Sequence, residues 1–127
     1  MRVLDADVLV DLLRGYLPAR AWFASRASES FAVSGFAALE LIRGTRNQHE
    51  LQRVLRGIAM WTIVWPSAED SDRAMETYAR YRLSHNLGPF DALIAETAIG
   101  LGATLCTFNL KHYRPIAHLV TERPYAR

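Results

Sequence analysis

Three acids in this 127-residue chain stand where chemistry explains them better than packing does. Asp5 closes the apolar run Arg2-Val3-Leu4. Glu40 sits inside Phe36-Ala37-Ala38-Leu39-Glu40-Leu41-Ile42, and Asp91 inside Phe90-Asp91-Ala92-Leu93-Ile94-Ala95. An acid in an apolar helical stripe looks inward, where an unpartnered carboxylate is costly. Two carboxylates ~4 Å apart repel by on the order of 4 kcal/mol at an effective dielectric near 20. Either their pKa values rise or a divalent cation screens them. An all-oxygen donor set with no His or Cys cluster suits Mg²⁺ or Mn²⁺. Such an ion activates water and neutralises charge on a phosphoryl group, so the chemistry expected is phosphodiester hydrolysis.

Residues so far apart meet only if the right elements carry them. Arg2-Val3-Leu4 reads as a short buried strand, and Asp7 as the N-cap of a helix over Val8–Arg14 that Gly15 stops. Pro18 opens a second helix reaching about Ala27, with Trp22 and Phe23 on its apolar side. Phe31-Ala32-Val33 is a second strand, and helices follow from Ser34 or Gly35 to Gly44 and from about Gln48 to Gly57. Trp61-Thr62-Ile63-Val64-Trp65 is the best strand in the sequence, closed by Pro66. Ser67 caps a long helix that ends near Asn86-Leu87-Gly88, and Pro89 begins another that Gly102 stops. Ala103 to Phe108 is a fourth strand, and His118 to Thr121 a possible fifth. Strands separated by helices imply a parallel sheet covered on both faces. The fold expected is one three-layer α/β/α domain over residues 1–127, with a central parallel sheet of four to five strands. Sites in such sheets form beyond the carboxyl ends of the strands. Asp5, Ser34 with Glu40, Asp91, and Thr107 with Asn109 all fall there.

Composition narrows the setting. Half the chain is apolar and 22% is charged, which places it in the globular class. The single cysteine, Cys106, excludes an internal disulfide and a Cys-based metal cage. No apolar run approaches the ~18 residues of a membrane span, and Asp5 and Asp7 interrupt what a signal peptide needs to be apolar. A cytoplasmic protein is expected. Of 15 basic residues only Lys111 is lysine. Codon bias explains much of that excess of arginine, while arginine forks also grip phosphate bidentately and suit a nucleic-acid partner. The series Arg43, Arg46, Arg53, Arg56 reads more simply as a solvated face, Asp11 as solvent-facing, and Glu69, Asp70 and Asp72 as acids at a helix start. No aromatic–basic motif reads as a base-recognition platform.

Four blocks, in order, resemble the PIN domain and in particular the VapC-type ribonuclease toxins of toxin–antitoxin pairs. They are Leu4-Asp5-Ala6-Asp7-Val8-Leu9-Val10-Asp11-Leu12-Leu13-Arg14-Gly15; Ser34 through Glu40-Leu41-Ile42-Arg43-Gly44; Pro89-Phe90-Asp91-Ala92-Leu93-Ile94-Ala95; and Thr107-Phe108-Asn109-Leu110-Lys111-His112-Tyr113. The resemblance implies an Mg²⁺- or Mn²⁺-dependent endoribonuclease. Asp5, Glu40 and Asp91 would be metal ligands and catalytic, with Asn109 a fourth polar contributor that holds a metal-bound water or orients Asp5. Arg43, Arg46, Lys111 and His112 would contact RNA. It further implies a cognate antitoxin whose segment lies over the site, and a homodimer, with an exposed Trp22 and the early apolar helices as contact surfaces. The chain departs from the family pattern in carrying Ala6 and Asp7 where Thr or Ser and then Asn or Ser are usual. It also lacks a further acid at Asn109 or His112, which leaves three carboxylates and argues against a fully ligated second ion.

Two other functions fit parts of the sequence. The missing acid suits a PIN-like module that binds RNA or an antitoxin with little or no cleavage. Asp5-Ala6-Asp7 after a strand also resembles the opening of the haloacid dehalogenase group, whose aspartate-nucleophile mechanism wants a downstream lysine and paired acids at a later strand end. Here the only lysine is Lys111, and Asp70 and Asp72 fall at a helix start.

Overall fold

The apolar triplet that begins at Arg2 becomes the central strand. Val3 and Leu4 are wholly buried, and each such side chain contributes about 2 kcal/mol by leaving water. The computed structural model describes residues Met1–Arg127. In chain order the elements are β1 (Arg2–Leu4), α1 (Ala6–Leu13), α2 (Leu17–Ala24), β2 (Phe31–Ser34), α3 (Gly35–Arg43), α4 (Gln48–Ile58), β3 (Ile63–Val64), α5 (Ala68–His85), α6 (Pro89–Gly100), β4 (Thr104–Cys106), α7 (Leu110–Tyr113) and β5 (Val120–Glu122). The five strands form one sheet in the order β3-β2-β1-β4-β5, every pair parallel. Arg2, Val3 and Leu4 lie opposite Phe31, Ala32 and Val33 on one side and Thr104, Leu105 and Cys106 on the other.

The chain steps from β1 to β3 through α1–α2 and α3–α4, then returns past β1 to β4 through α5 and α6. Right-handed crossovers taken in opposite directions put these helix sets on opposite faces, so the α/β three-layer reading holds. The direction reverses between β1 and β4. That is where an open parallel sheet leaves its crevice.

Several boundaries differ from expectation for identifiable reasons. Asp5, in extended conformation, is the N-cap of α1, and Asp7 lies within the first turn. The helix begins one residue after the strand ends, so only Asp5 is free to cap. β3 shrinks to two residues because it is an edge strand: Trp61 turns aside to pack on Phe23 (5.2 Å between centroids), and Pro66 has no N–H to extend a ladder. α2 stops at Ala24, and the short α7 over Leu110–Tyr113 was not foreseen. Trp22 is buried, 7% exposed, between Phe31 and Tyr125, which removes it as a contact surface. Asp11 is also buried, because the Tyr125 hydroxyl (2.7 Å) and the Arg127 guanidinium (3.2 Å) donate to it. These bonds strap the C-terminal residues across α1.

Candidate active site

Asp5 leaves the sheet and enters the site within one residue. Its N–H still donates to the Cys106 carbonyl (3.0 Å), while its Oδ1 accepts from the Ala6 N–H (2.8 Å). Its Oδ2 accepts from the Thr107 hydroxyl at 2.8 Å and from the Tyr113 hydroxyl at 3.1 Å. That phenol oxygen also lies 3.4 Å from Asp91 Oδ1, so one buried tyrosine spans two acids 86 residues apart in sequence. Asp91 is set by the start of α6, where Pro89 occupies the first turn and Asp91 Oδ2 accepts the Gly88 N–H (3.0 Å). Asp7 turns toward the segment after β4, accepting the Phe108 N–H at 2.9 Å. Glu40 reaches the same region from the second turn of α3, half-buried.

The electrostatics are those of crowded like charges. Burial first, then the neighbouring Asp7 and Glu40, push Asp5 up to about 7 against the pull of Thr107 and the Ala6 N–H. Burial raises Asp7 also, opposed by the N–H groups of Phe108 and Val8. Glu40 is raised by burial, then by Asp91 and Asp7, with only Arg43 opposing. Burial and the charges of Asp5 and Asp91 hold the Tyr113 phenol well above its usual range, so it stays a proton donor.

No three His, Cys, Asp or Glu side chains close into a ready metal cage. The acids form an open, all-oxygen set with a mutual repulsion that a dication relieves. That chemistry fits Mg²⁺ or Mn²⁺ held partly through water, because Mg²⁺ keeps several of its waters even when bound. Asp5, Glu40 and Asp91 are the residues that would hold it, and Asp7 stands beside them.

Other expected residues take different places. Asn109 does not orient Asp5. Its amide meets His112 Nδ1 at 2.9 Å and its N–H donates to Thr107 Oγ1 at 3.0 Å. Thr107 and Tyr113 do the orienting, and neither was singled out for it in the sequence. His112 Nδ1 lies 3.8 Å from Asp91. Lys111 is exposed on α7, and Arg43 is exposed one turn beyond Glu40. Arg46 is drawn away into an ion pair with Glu50 (2.9 Å), on a groove of about 630 Å³ between α1, α3 and α4. Val10, Leu13, Leu41 and Val54 line the floor of this groove, and Arg14 and Arg53 stand on its rim. The acids that a haloacid dehalogenase reading requires at a strand end are in α5 instead. Asp70 there completes a capping box with Ser67 and pairs with Arg73.

A PIN-domain family model matches residues 2–116. Ribonuclease VapC10 of Mycobacterium tuberculosis is 37% identical over 115 residues, which span 89% of this chain and 86% of that protein. Ribonuclease VapC19 of the same organism is 34% identical over 119 residues, 89% and 92% of the two chains. Among solved structures, VapBC2 from Rickettsia felis bound to a promoter DNA fragment superposes with a TM-score of 0.79 at 23% identity, covering 95% of this chain and 96% of that one. A toxin–antitoxin complex from Klebsiella pneumoniae gives 0.75 at 23% identity over all of both chains. The chain belongs to the PIN-domain family, on its VapC-type branch.

Proposed function

We propose that this protein is the toxin of a toxin–antitoxin pair, an Mg²⁺-dependent endoribonuclease that hydrolyses RNA phosphodiester bonds, with Mn²⁺ able to substitute. The observation that carries the reading is the convergence of Asp5, Glu40 and Asp91, with Tyr113 bonded between two of them and no arginine or lysine paired to Asp5 or Asp91. The names of the relatives, ribonucleases, support it. When bound, the ion supplies an activated water and charge neutralisation at the phosphoryl group. The protein's part is positional. Thr107 and Tyr113 fix the Asp5 carboxylate, the α6 N-terminus fixes Asp91, and Asn109 orders the His112 ring beside Asp91. Arg43 beside Glu40, His112 beside Asp91, and Lys111 next to His112 on α7 offer positive or donor groups suited to the RNA backbone.

The groove between α1, α3 and α4 meets a second one lined by Leu12, Phe23, Phe31, Met60 and Trp61. An apolar floor with an arginine rim suits an antitoxin segment of alternating apolar and acidic side chains. Met75 and Leu83 on α5, with Leu39 on α3, leave apolar surface for a second copy of the chain in a homodimer. No helix is long and apolar enough to cross a membrane, and the reading places the protein in the cytoplasm.

Purified protein should cut single-stranded RNA in Mg²⁺, lose the activity in EDTA, and lose it in Asp5→Asn and Asp91→Asn. RNA that is bound but left whole in both Mg²⁺ and Mn²⁺ decides instead for a binding module. The feature favouring that second reading is Asn109, a neutral side chain where a further acid would strengthen the ligand set.

A further inference from the structure

Trp65 follows β3 on the sheet edge that carries the acids, and 56% of it is exposed. Its ring is nonetheless firmly seated. A Cβ built on Gly35 would stand 2.5 Å from each of Cε2, Cε3 and Cη2 of the indole, three alternate corners of the six-membered ring. Equal distances to alternate corners mean that the ring lies flat over Gly35, one face against the backbone. Phe36 meets the indole at 77°, centroids 5.5 Å apart, and Phe90 packs on Phe36 at 5.1 Å and 63°. With one face seated on Gly35 and 56% of the residue still exposed, the solvent-facing part of the indole is a flat π surface held at a set angle. The row of rings leads to the acids. Phe90 directly precedes Asp91, and Phe36 lies one turn before Glu40 on the same face of α3.

Sheet-edge packing alone would be served by an aliphatic side chain. It does not call for a glycine at the first position of α3 so that an indole can lie flat with its far face in solvent.

We propose that Trp65 is a stacking platform for one unpaired nucleobase of the RNA whose backbone crosses Asp5, Glu40 and Asp91. The proposal rests on the ribonuclease reading and adds which part of the substrate is gripped: a base splayed out of a single strand, which a duplex cannot offer. Every base has a π face, so the platform tolerates sequence, and purines stack on it better through their larger overlap. The ring is already immobilised, so little ordering entropy is lost when a base arrives.

The test uses 5′-labelled, mixed-sequence single-stranded RNA in Mg²⁺ with wild type, Trp65→Ala, Trp65→Phe and Gly35→Ala. The best-cut sequence is then remade with one abasic nucleotide at each position in turn. At one position near the cut, the missing base should raise the wild-type KM about ten- to hundredfold with little change in kcat. Trp65→Ala should show the raised KM on intact RNA and no further penalty from the abasic nucleotide. Trp65→Phe should keep much of the wild-type behaviour. Gly35→Ala, whose new methyl lifts the ring from its seat, should behave as Trp65→Ala does. The abasic comparison is made within each variant, so a general loss of stability cannot imitate it. Identical abasic profiles in wild type and Trp65→Ala overturn the platform and leave the ribonuclease standing. Conversion of a dimer to a monomer by Trp65→Ala in sedimentation, with the abasic profile unchanged, assigns the ring to a contact between copies and also overturns it. Failure of wild type to cut any of the RNA overturns the ribonuclease reading, and the platform with it.

Discussion

One carboxylate, that of Asp5, caps α1, takes two hydroxyl donors and stands among other acids. Its roles can be separated by Asp5→Asn. Asparagine caps a helix about as well as aspartate, so the variant loses charge more than shape. Cleavage should fall at least about a hundredfold, the loss expected when a group that places transition-state charge is removed. In chelator the melting temperature should stay level or rise by a few degrees, and the gain from added Mn²⁺ should shrink. A clear drop in chelator with the Mn²⁺ response intact would show Asp5 to be structural. The pH dependence has a definite sign. With its folded pKa at about 7 against an ordinary 3.8, Asp5 is protonated in the folded chain and ionised in the unfolded one between those values. Metal-free stability should therefore decline as pH rises from 4 to 7 and level off above, and Asp5→Asn should flatten that slope. Tyr113→Phe removes the hydroxyl between Asp5 and Asp91, and should cut activity about tenfold or more while circular dichroism stays unchanged. The three acids were legible because each interrupts an apolar run. Thr107 was legible as a residue at the end of the fourth strand but not as a donor to Asp5, and Tyr113 was not legible at all, since a tyrosine or threonine beside apolar residues acquires such a role only when β4, α7 and β1 meet. Asp11 was misread for the same reason: its partners, Tyr125 and Arg127, are 114 and 116 residues away.

At the scale of elements, α6 carries Asp91 into place, and its position depends on α5. Glu96 of α6, almost fully buried, takes the Arg73 guanidinium at 3.1 Å and the Thr77 hydroxyl at 3.1 Å, while Arg73 also pairs with Asp70. Gly100 at the end of α6 leaves the space that the Asp70 carboxylate fills. In most helices glycine to alanine stabilises by up to about 1 kcal/mol. Here Gly100→Ala should destabilise by about 1–3 kcal/mol, since Asp70 is held by its capping box and by Arg73 and cannot step aside freely. Thermal melts of the single variant, and of the variant combined with Asp70→Ala, check this: the second change should remove most of the penalty of the first. The α5–α6 pair was legible from Ser67, Asn86-Leu87-Gly88 and Pro89, because caps and breakers act locally. The extent of β3 was not, because the aromatic residues of Trp61–Trp65 satisfy a strand pattern equally well when they pack sideways. The register and order of the strands came only with tertiary structure, since nothing within a parallel strand names its neighbour.

Over the whole molecule the net charge is only +2, so attraction to RNA depends on where the arginines lie. Arg43 is exposed and acts on Glu40, and Lys111 is exposed next to His112 on α7, whereas Arg46 is already paired with Glu50. Neutralising Arg43 or Lys111 should flatten the slope of log affinity against log salt by about one unit each. Arg46→Ala should move it less. Equal slopes in all three variants would return these residues to ordinary surface charge. A last consequence concerns time. Strand β1 is hydrogen-bonded on one side to β2 and on the other to β4, so residues 2–4 are clasped by residues 104–106, made about a hundred residues later. Tyr113, which spans Asp5 and Asp91, comes later still. At about 5–20 residues per second, roughly 5–22 s separate the synthesis of Asp5 from that of Tyr113. For nearly all of that interval the acids have no common site to share. On the ribonuclease reading, the blade stays unmade until the segment that carries β4 and α7 has come to lie beside the first strand.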